Sequence, residues 1–161
     1  MRVTKYNLLL DEDRHPELVK EETKIYRTES SFRNPQTVVK IFNDLYHADR
    51  RTEEYGYLLA LDVKGKPLGL FELSHGAVDY SIINTRAVMI RLLLCGASGF
   101  ILLHNHPSGN MNPSAADINV TRRMQEAASI MGIGFFDHII IGHEEYYSFM
   151  ENGLLKKEEE N

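Results

Sequence analysis

The sequence predicts a single α/β domain built on a mixed β-sheet. Three helical patterns alternate with short, strongly apolar strands, an arrangement that buries a sheet between helices. The run at 99–103 is almost wholly apolar, and 135–141 is a second strand of the buried type, as is typical of central strands covered on both faces. With 161 residues, 43% of them hydrophobic and 25% charged, the chain is long enough for one domain with a sizeable core.

The first predicted elements are a helix and a β-hairpin. Asn34 is a helix-capping residue, Pro35 suits a first helical turn, and the apolar residues that follow repeat at helical spacing. The strand-like runs 57–63 and 67–73 flank a short turn that contains Gly65, which predicts a hairpin.

Two further helices precede the apolar strands of the second half. One begins at Asn84 or Thr85 and ends at Gly96. The other runs from Ser114 to Met131 and is followed by a glycine, a residue that commonly ends helices. Together with the two apolar strands, these segments complete the alternation that indicates an α/β fold.

Composition limits the classes of function. A formal net charge of −5 argues against strong nonspecific nucleic-acid binding. The lone Cys95 excludes an internal disulfide, which fits a reducing, cytoplasmic setting. We find no signal-peptide pattern and no apolar run long enough for a bilayer, so we expect no membrane partner. The apolar runs are accounted for by a core, so the oligomeric state is not assigned.

Two histidines and an aspartate form the most informative motif. His104 and His106 directly follow the apolar run 100–103, and Asp117 stands eleven residues further on. Alternate residues of a strand share a face, so both imidazoles point to one side. Two imidazoles and a carboxylate leave one position of a tetrahedral zinc ion open, as in catalytic zinc sites.

Asp117 also has a purely structural interpretation. Ser114 and Asp117 stand three residues apart in a capping-box pattern, which stabilises a helix start without any metal. The two interpretations are compatible, because a serine cap can also fix the direction of a ligating carboxylate.

A hydrolytic zinc site also needs a general base. Glu72 is a charged residue within an apolar strand, a position that is costly without a partner, and we take it as the candidate. The alternative is an edge strand on which Glu72 is merely exposed. Glu53, Glu54 and Glu126 lie in charged or helical surface-like contexts and are poorer candidates.

The spacing His104-x-His106, seven residues, Ser114, two residues, Asp117 resembles the JAMM motif of JAB1/MPN-type zinc metalloproteases. The longer string His104-Asn-His-Pro-Ser-Gly109, with Asp137-His-Ile-Ile-Ile-Gly142 after it, resembles the RadC branch of that family. The likeness covers roughly residues 34–155 and is most specific across 104–142. It implies three units: an N-terminal extension of unclear structure (1–33), a RadC-like JAB/MPN domain (34–155) and a charged tail (156–161).

The resemblance implies a cytidine-deaminase-like α/β/α fold. It implies a zinc ion held by His104, His106 and Asp117, and a peptide or protein substrate whose peptide or isopeptide bond is hydrolysed through a metal-activated water. Glu72 is the best match to the upstream catalytic glutamate, and Ser114 to the serine that stabilises the oxyanion. Asp137 and His138 are expected to be polar residues that support the site.

A non-catalytic alternative stays open at this stage. RadC proteins have a historical association with DNA repair, and MPN-like domains can persist as interaction modules with little or no catalysis. Many RadC proteins carry a helix-hairpin-helix-like region before this domain, and residues 1–33 do not resemble it. The loop at 104–117 has no Lys or Arg for phosphates, which disfavours a metal-dependent nuclease.

Overall fold

The computed structural model describes residues 1–26, 32, 34–76, 83–142 and 145–155. Over these residues the chain forms seven β-strands and three α-helices. The strands are β1 (Arg2–Leu10), β2 (Pro16–Ile25), β3 (Tyr55–Leu61), β4 (Pro67–His75), β5 (Gly99–Asn105), β6 (Gly134–Ile141) and β7 (Tyr146–Ser148). The helices are α1 (Pro35–Tyr46), α2 (Thr85–Leu94) and α3 (Ala115–Met131).

One mixed sheet contains all seven strands, in the order β2-β1-β4-β3-β5-β6-β7. β5 pairs with β6 in parallel and β1 with β4 in parallel, whereas the other neighbours are antiparallel. The predicted mixed-sheet α/β domain is confirmed, and the architecture agrees with a JAB/MPN fold. None of the helices in the described ranges is long and apolar enough to span a membrane.

The sheet separates two cores. On one face, Leu58 and Leu102 pack with α2 and α3, and on the other, Leu59 and Leu103 pack with α1. This division follows from the two-residue alternation of strand side chains. All seven residues of β5 are buried, which explains why its sequence is apolar without alternation.

Side-chain caps set the helix starts that the sequence predicts. The Asn34 carbonyl oxygen accepts a hydrogen bond from the Thr37 N–H at 3.2 Å, and Asn84 accepts one from Ala87 at 3.1 Å. Ser114 caps α3, and Gly132 ends that helix with a φ of 63°, a conformation that favours glycine.

Residues 1–26 contribute an antiparallel hairpin to the same sheet. β1 pairs with β2 along its whole length and meets β4 through the register of Lys5 with Leu70. Val3 is buried in the core on the α1 side. The region of unclear structure is thus a β-hairpin over its described part. The unit boundaries at 33/34 and 155/156 stay a prediction, and the charged tail 156–161 lies outside the described residues.

Cys95 caps the end of α2 as a half-buried thiol. Its Sγ–H donates to the Arg91 carbonyl at 2.7 Å, and burial raises its pKa to about 11. The thiol therefore stays protonated at neutral pH, which fits a packing role rather than a nucleophilic one.

Asp137 on β6 joins the C-terminal segment to the sheet. Its carboxylate accepts hydrogen bonds from the N–H groups of His138 and Met150, at 2.8 and 3.0 Å, and from the Ser148 hydroxyl at 2.6 Å. Burial raises the pKa of this carboxyl to about 6, although the hydrogen bond from Ser148 opposes the shift. The charged form is therefore less favourable here than in the unfolded chain.

We predict that Asp137→Asn removes a pH-dependent loss of stability. Because the pKa of Asp137 is raised from 3.8 to about 6, the wild-type free energy of unfolding falls as pH rises through that window. An amide does not ionise and still offers partners to all three groups. The variant should therefore gain about 3 kcal/mol relative to wild type across the window. Urea unfolding of both metal-free proteins measures this difference, and a difference that is constant with pH would contradict it.

Candidate metal centre

β5 brings His104 and His106 to the end of the sheet. The strand ends at Asn105, between them, and their Nε2 atoms lie 3.1 Å apart. The Nδ1 of His106 lies 2.5 Å from the backbone carbonyl of Asn110. A carbonyl only accepts hydrogen bonds, so Nδ1 carries the proton and Nε2 of His106 presents a lone pair.

Asp117 reaches the two histidines from the first turn of α3. The Ser114 Oγ accepts from the Asp117 N–H at 3.1 Å, while Asp117 Oδ2 accepts from the Ser114 N–H at 2.7 Å and from its hydroxyl at 2.6 Å. Oδ1 of Asp117 then lies 3.2 Å from His104 Nε2, and Oδ2 lies 3.5 Å from His106 Nε2. Asp117 therefore belongs to the capping box of α3 and faces the two histidines at the same time.

Glu54 is the fourth residue at this place. Its Oε1 lies 3.9 Å from His104 Nε2, and about a third of its side chain is exposed. The ligand atoms of Glu54, His104, His106 and Asp117 all lie within 4.8 Å of one another. We call these four residues the His–carboxylate cluster.

Asn105 positions the segment that carries Glu54. Its side-chain carbonyl accepts from the Tyr55 N–H at 2.8 Å, and its amide donates to the Glu53 carbonyl at 2.9 Å. These backbone groups flank Glu54 on both sides. Asn105, which stands between the two histidines, therefore holds the backbone segment that carries the Glu54 carboxylate.

The donor set and its spacing fit a divalent metal ion. Ligands at zinc–nitrogen distances in a tetrahedral site are about 3.4 Å apart. The distances among the two Nε2 atoms and the Asp117 oxygens are 3.1, 3.2 and 3.5 Å. Imidazole with carboxylate suits zinc and other first-row metals better than magnesium or calcium, which prefer oxygen ligands.

The electrostatics of the site are those of a buried anion among imidazoles. Burial works to raise the pKa of Asp117, but the adjacent His104 and His106 imidazoles and the hydrogen bond from the Ser114 hydroxyl outweigh it and hold that pKa far below its usual range. The adjacent Asp117 carboxylate raises the pKa of His106, while burial opposes the shift. Full burial lowers the pKa of His138 well below its ordinary value, so this ring is neutral.

Comparison with protein families matches residues 32–154 to the RadC-like JAB domain. The chain belongs to the RadC-like JAB domain family. The match contains the whole His–carboxylate cluster. The matched residues include no part of the β1–β2 hairpin.

Named relatives of this RadC-like domain are UPF0758 proteins. One from Pelobacter propionicus is 42% identical over 124 residues, which cover 77% of this chain and 53% of the relative. Another, from Geobacter sulfurreducens, is 40% identical over 117 residues, covering 72% of this chain and 51% of the relative. The chain thus spans about half the length of these relatives.

Glu72, the general base that the sequence predicts, is not a member of the His–carboxylate cluster. It pairs across the sheet with Tyr57, whose side chain packs in the core on the α1 face. Leu102, two residues before His104, packs in the core on the opposite face. Glu72 is about a third exposed, with its carboxylate 3.7 Å from His75 Nδ1. β4 lies between β1 and β3, so the edge-strand alternative does not describe Glu72 either.

The other sequence-predicted residues divide into two groups. His104, His106, Asp117 and Ser114 meet at one place, and His138 joins them because its Nε2 lies 2.9 Å from His104 Nδ1. Asp137, in contrast, makes the C-terminal contacts described above and is not a member of the cluster.

From the sequence, Glu54 is a poorer candidate base than Glu72, and Asn105 and Thr121 are not indicated at all. Glu54 stands just before β3, and Gly56 of that strand pairs with His104 of β5. An antiparallel pairing of the hairpin's first strand with the histidine strand would have indicated it. Asn105 and Thr121 carry no sequence signal of their own, because their roles are hydrogen bonds to distant parts of the chain.

An open cleft of about 520 Å³ adjoins the cluster. Glu54, His106, Ser108, Asn112 and Ser114 are among its lining residues. None of the described residues that line it is Lys or Arg. The cleft gives a ligand access to one side of the His–carboxylate cluster.

We predict that the cluster binds one divalent ion per chain, with zinc as the probe. His106→Ala and Asp117→Asn each remove a donor and should weaken zinc binding by more than about 100-fold. Glu72→Gln, a change on the opposite face of the sheet, should bind zinc like the wild type. Equilibrium dialysis with elemental analysis measures all four proteins. Stoichiometric zinc retained by both ligand variants would contradict the assignment.

Proposed function

We propose that this RadC-like domain is a zinc-dependent hydrolase that cleaves a peptide or isopeptide bond. The observation that carries the proposal is the convergence of two imidazoles and two carboxylates beside an open cleft. Three of these side chains suffice to hold the ion, which leaves one carboxylate for proton transfer. Membership of the family does not by itself establish an activity, so hydrolysis is proposed both for this chain and for its longer relatives.

His104, His106 and Asp117 would hold the ion. When bound, zinc would polarise the scissile carbonyl and lower the pKa of a coordinated water to about 7. The ligand side chains are already oriented by protein contacts, since the Asn110 carbonyl holds His106 and Ser114 holds Asp117. Such orientation reduces the cost of ordering the ligands when the metal binds.

Glu54, rather than Glu72, is the proposed general base. Its carboxylate lies 3.9 Å from His104 Nε2 and also lines the cleft. From there it would accept a proton from the attacking water and deliver it to the leaving amine. The Asn105 side chain accepts a hydrogen bond from the Tyr55 N–H and donates one to the Glu53 carbonyl, and these hold the backbone on either side of Glu54 in place.

Ser114 is the proposed donor to the developing oxyanion. Ser114 lines the cleft, and its hydroxyl donates to Asp117 Oδ2 at 2.6 Å, so this role requires the proton to turn towards the substrate. Loss of such a donor commonly costs about 3 kcal/mol of transition-state stabilisation.

A phosphodiester substrate fits the cleft less well than a peptide does. The described lining residues include Glu53 and Glu54 and no cationic side chain, whereas phosphate backbones are bound through Lys and Arg. The formal net charge of −5 gives no general attraction for nucleic acid either. A DNA-repair role and a cytoplasmic location stay predictions.

We predict that Glu54→Gln keeps stoichiometric zinc and loses about 100-fold or more in turnover, the usual contribution of a general base. The matched control is Glu72→Gln, which makes the same change on the other face and should retain turnover. The assay uses zinc-loaded chains and a fluorogenic library that contains α-peptide and lysine ε-isopeptide linkages.

Two outcomes would count against the mechanism. Full activity of Glu54→Gln would remove Glu54 from proton transfer. Loss of activity in Glu72→Gln, with zinc retained, would return the role to Glu72.

A further inference from the structure

Buried hydrogen bonds connect His104 to α3 through two residues that would not touch a metal. Nδ1 of His104 lies 2.9 Å from Nε2 of His138, and Nδ1 of His138 lies 2.6 Å from the Thr121 hydroxyl. That hydroxyl donates to the backbone carbonyl of Asp117 at 2.6 Å. His104, His138 and Thr121 are only 1%, 0% and 2% exposed. We call this series the Thr121–His138 chain.

The direction of each proton follows from the last acceptor. A carbonyl cannot donate, so the single proton of the Thr121 hydroxyl goes to Asp117, and the hydroxyl oxygen accepts from His138 Nδ1–H. A neutral imidazole carries one N–H, which leaves His138 Nε2 as an acceptor. His104 must then donate from Nδ1, and its Nε2 carries a lone pair.

We propose that Thr121 and His138 are positioning residues that hold His104 in the tautomer whose Nε2 can bind a metal. The proposal rests on the metal site of the proposed function but not on hydrolysis. It assigns to Thr121, at the far end of the series, control over a ring it does not contact.

The opposite proton order would disable the site. A proton on His104 Nε2 would lie between that atom and His106 Nε2, which is 3.1 Å away, and would occupy the lone pair that the ion requires. The Thr121–His138 chain starts at the backbone of Asp117 and ends at His104, so it also connects α3, β6 and β5. Of these elements, α3 carries the proposed metal ligand Asp117 and β5 carries the proposed metal ligand His104.

The experiment compares Thr121→Val, which keeps the shape and removes the hydroxyl, with Thr121→Ser, which keeps the hydroxyl. Long-range ¹H–¹⁵N NMR of the metal-free full chain reports which ring nitrogen of His104 is protonated. Chelator competition measures the zinc dissociation constant, and urea unfolding of each metal-free variant checks that it folds.

We expect the wild type and Thr121→Ser to show the Nδ1–H tautomer of His104 and similar zinc affinity. Thr121→Val has no hydroxyl to accept from His138 Nδ1–H, so the proton of His138 is no longer fixed on Nδ1. The His104 tautomer should therefore shift towards Nε2–H. The zinc dissociation constant should rise by about 10- to 100-fold, as for other residues that orient metal ligands. His138→Gln, which retains an acceptor, should bind zinc more tightly than His138→Leu.

An Nε2–H tautomer of His104 in the metal-free wild type would overturn the proposal, and this readout needs no variant to fold. A folded Thr121→Val chain with wild-type tautomer and zinc affinity would also overturn it. Failure of the proposed function is a separate result: zinc bound with the expected tautomer but no cleavage would leave the positioning role intact.

Discussion

Two imidazole nitrogens face each other at 3.1 Å, and each is left with a lone pair by the hydrogen bond that its own ring makes elsewhere. Two lone pairs at that distance repel unless a positive charge lies beside them. The Asp117 carboxylate, 3.2 Å from one nitrogen and 3.5 Å from the other, adds negative charge at the same point. The arrangement is therefore one that a cation stabilises, and the surrounding contacts serve to maintain it.

The strand order of the sheet explains why His104 and His106 have neighbours from four different parts of the fold. β5 lies between antiparallel β3 and parallel β6, so the end of the histidine strand meets the start of β3 and the end of β6. β3 supplies the approach of Glu54, β6 supplies His138, and α3 supplies Asp117 and Thr121. The loop after β5 supplies the Asn110 carbonyl. Each ligand is thus oriented by a different element, which limits how far the site can relax when empty.

Much of the fold could be predicted because its signals are local. The cap residues Asn34, Asn84 and Ser114 and the apolar β5 each act within a few residues of chain. The spacing of His104, His106 and Asp117 is equally local and indicates a metal site directly. The hairpin of residues 1–26 was not predicted, because its strands lie at the sheet edge and mix charged with apolar residues.

Glu54 and Thr121 could not be found in this way, because their roles depend on which strands become neighbours. Glu72 and Glu54 both adjoin apolar strand residues, but Glu54 precedes the strand that pairs with His104, whereas Glu72 lies on the opposite face of the sheet. That face follows from the β3–β4 and β3–β5 registers, which hydrophobic pattern alone does not specify. The proton order of the Thr121–His138 chain likewise requires three side chains from different elements and one backbone carbonyl.

The most direct test is anomalous diffraction at the zinc absorption edge from crystals of the zinc-loaded chain. The account predicts one strong peak per chain, about 2.0–2.2 Å from Nε2 of His104, Nε2 of His106 and a carboxylate oxygen of Asp117. A peak bound elsewhere, or no peak here with the three side chains turned away from one another, would contradict the claim that this arrangement is built around a cation.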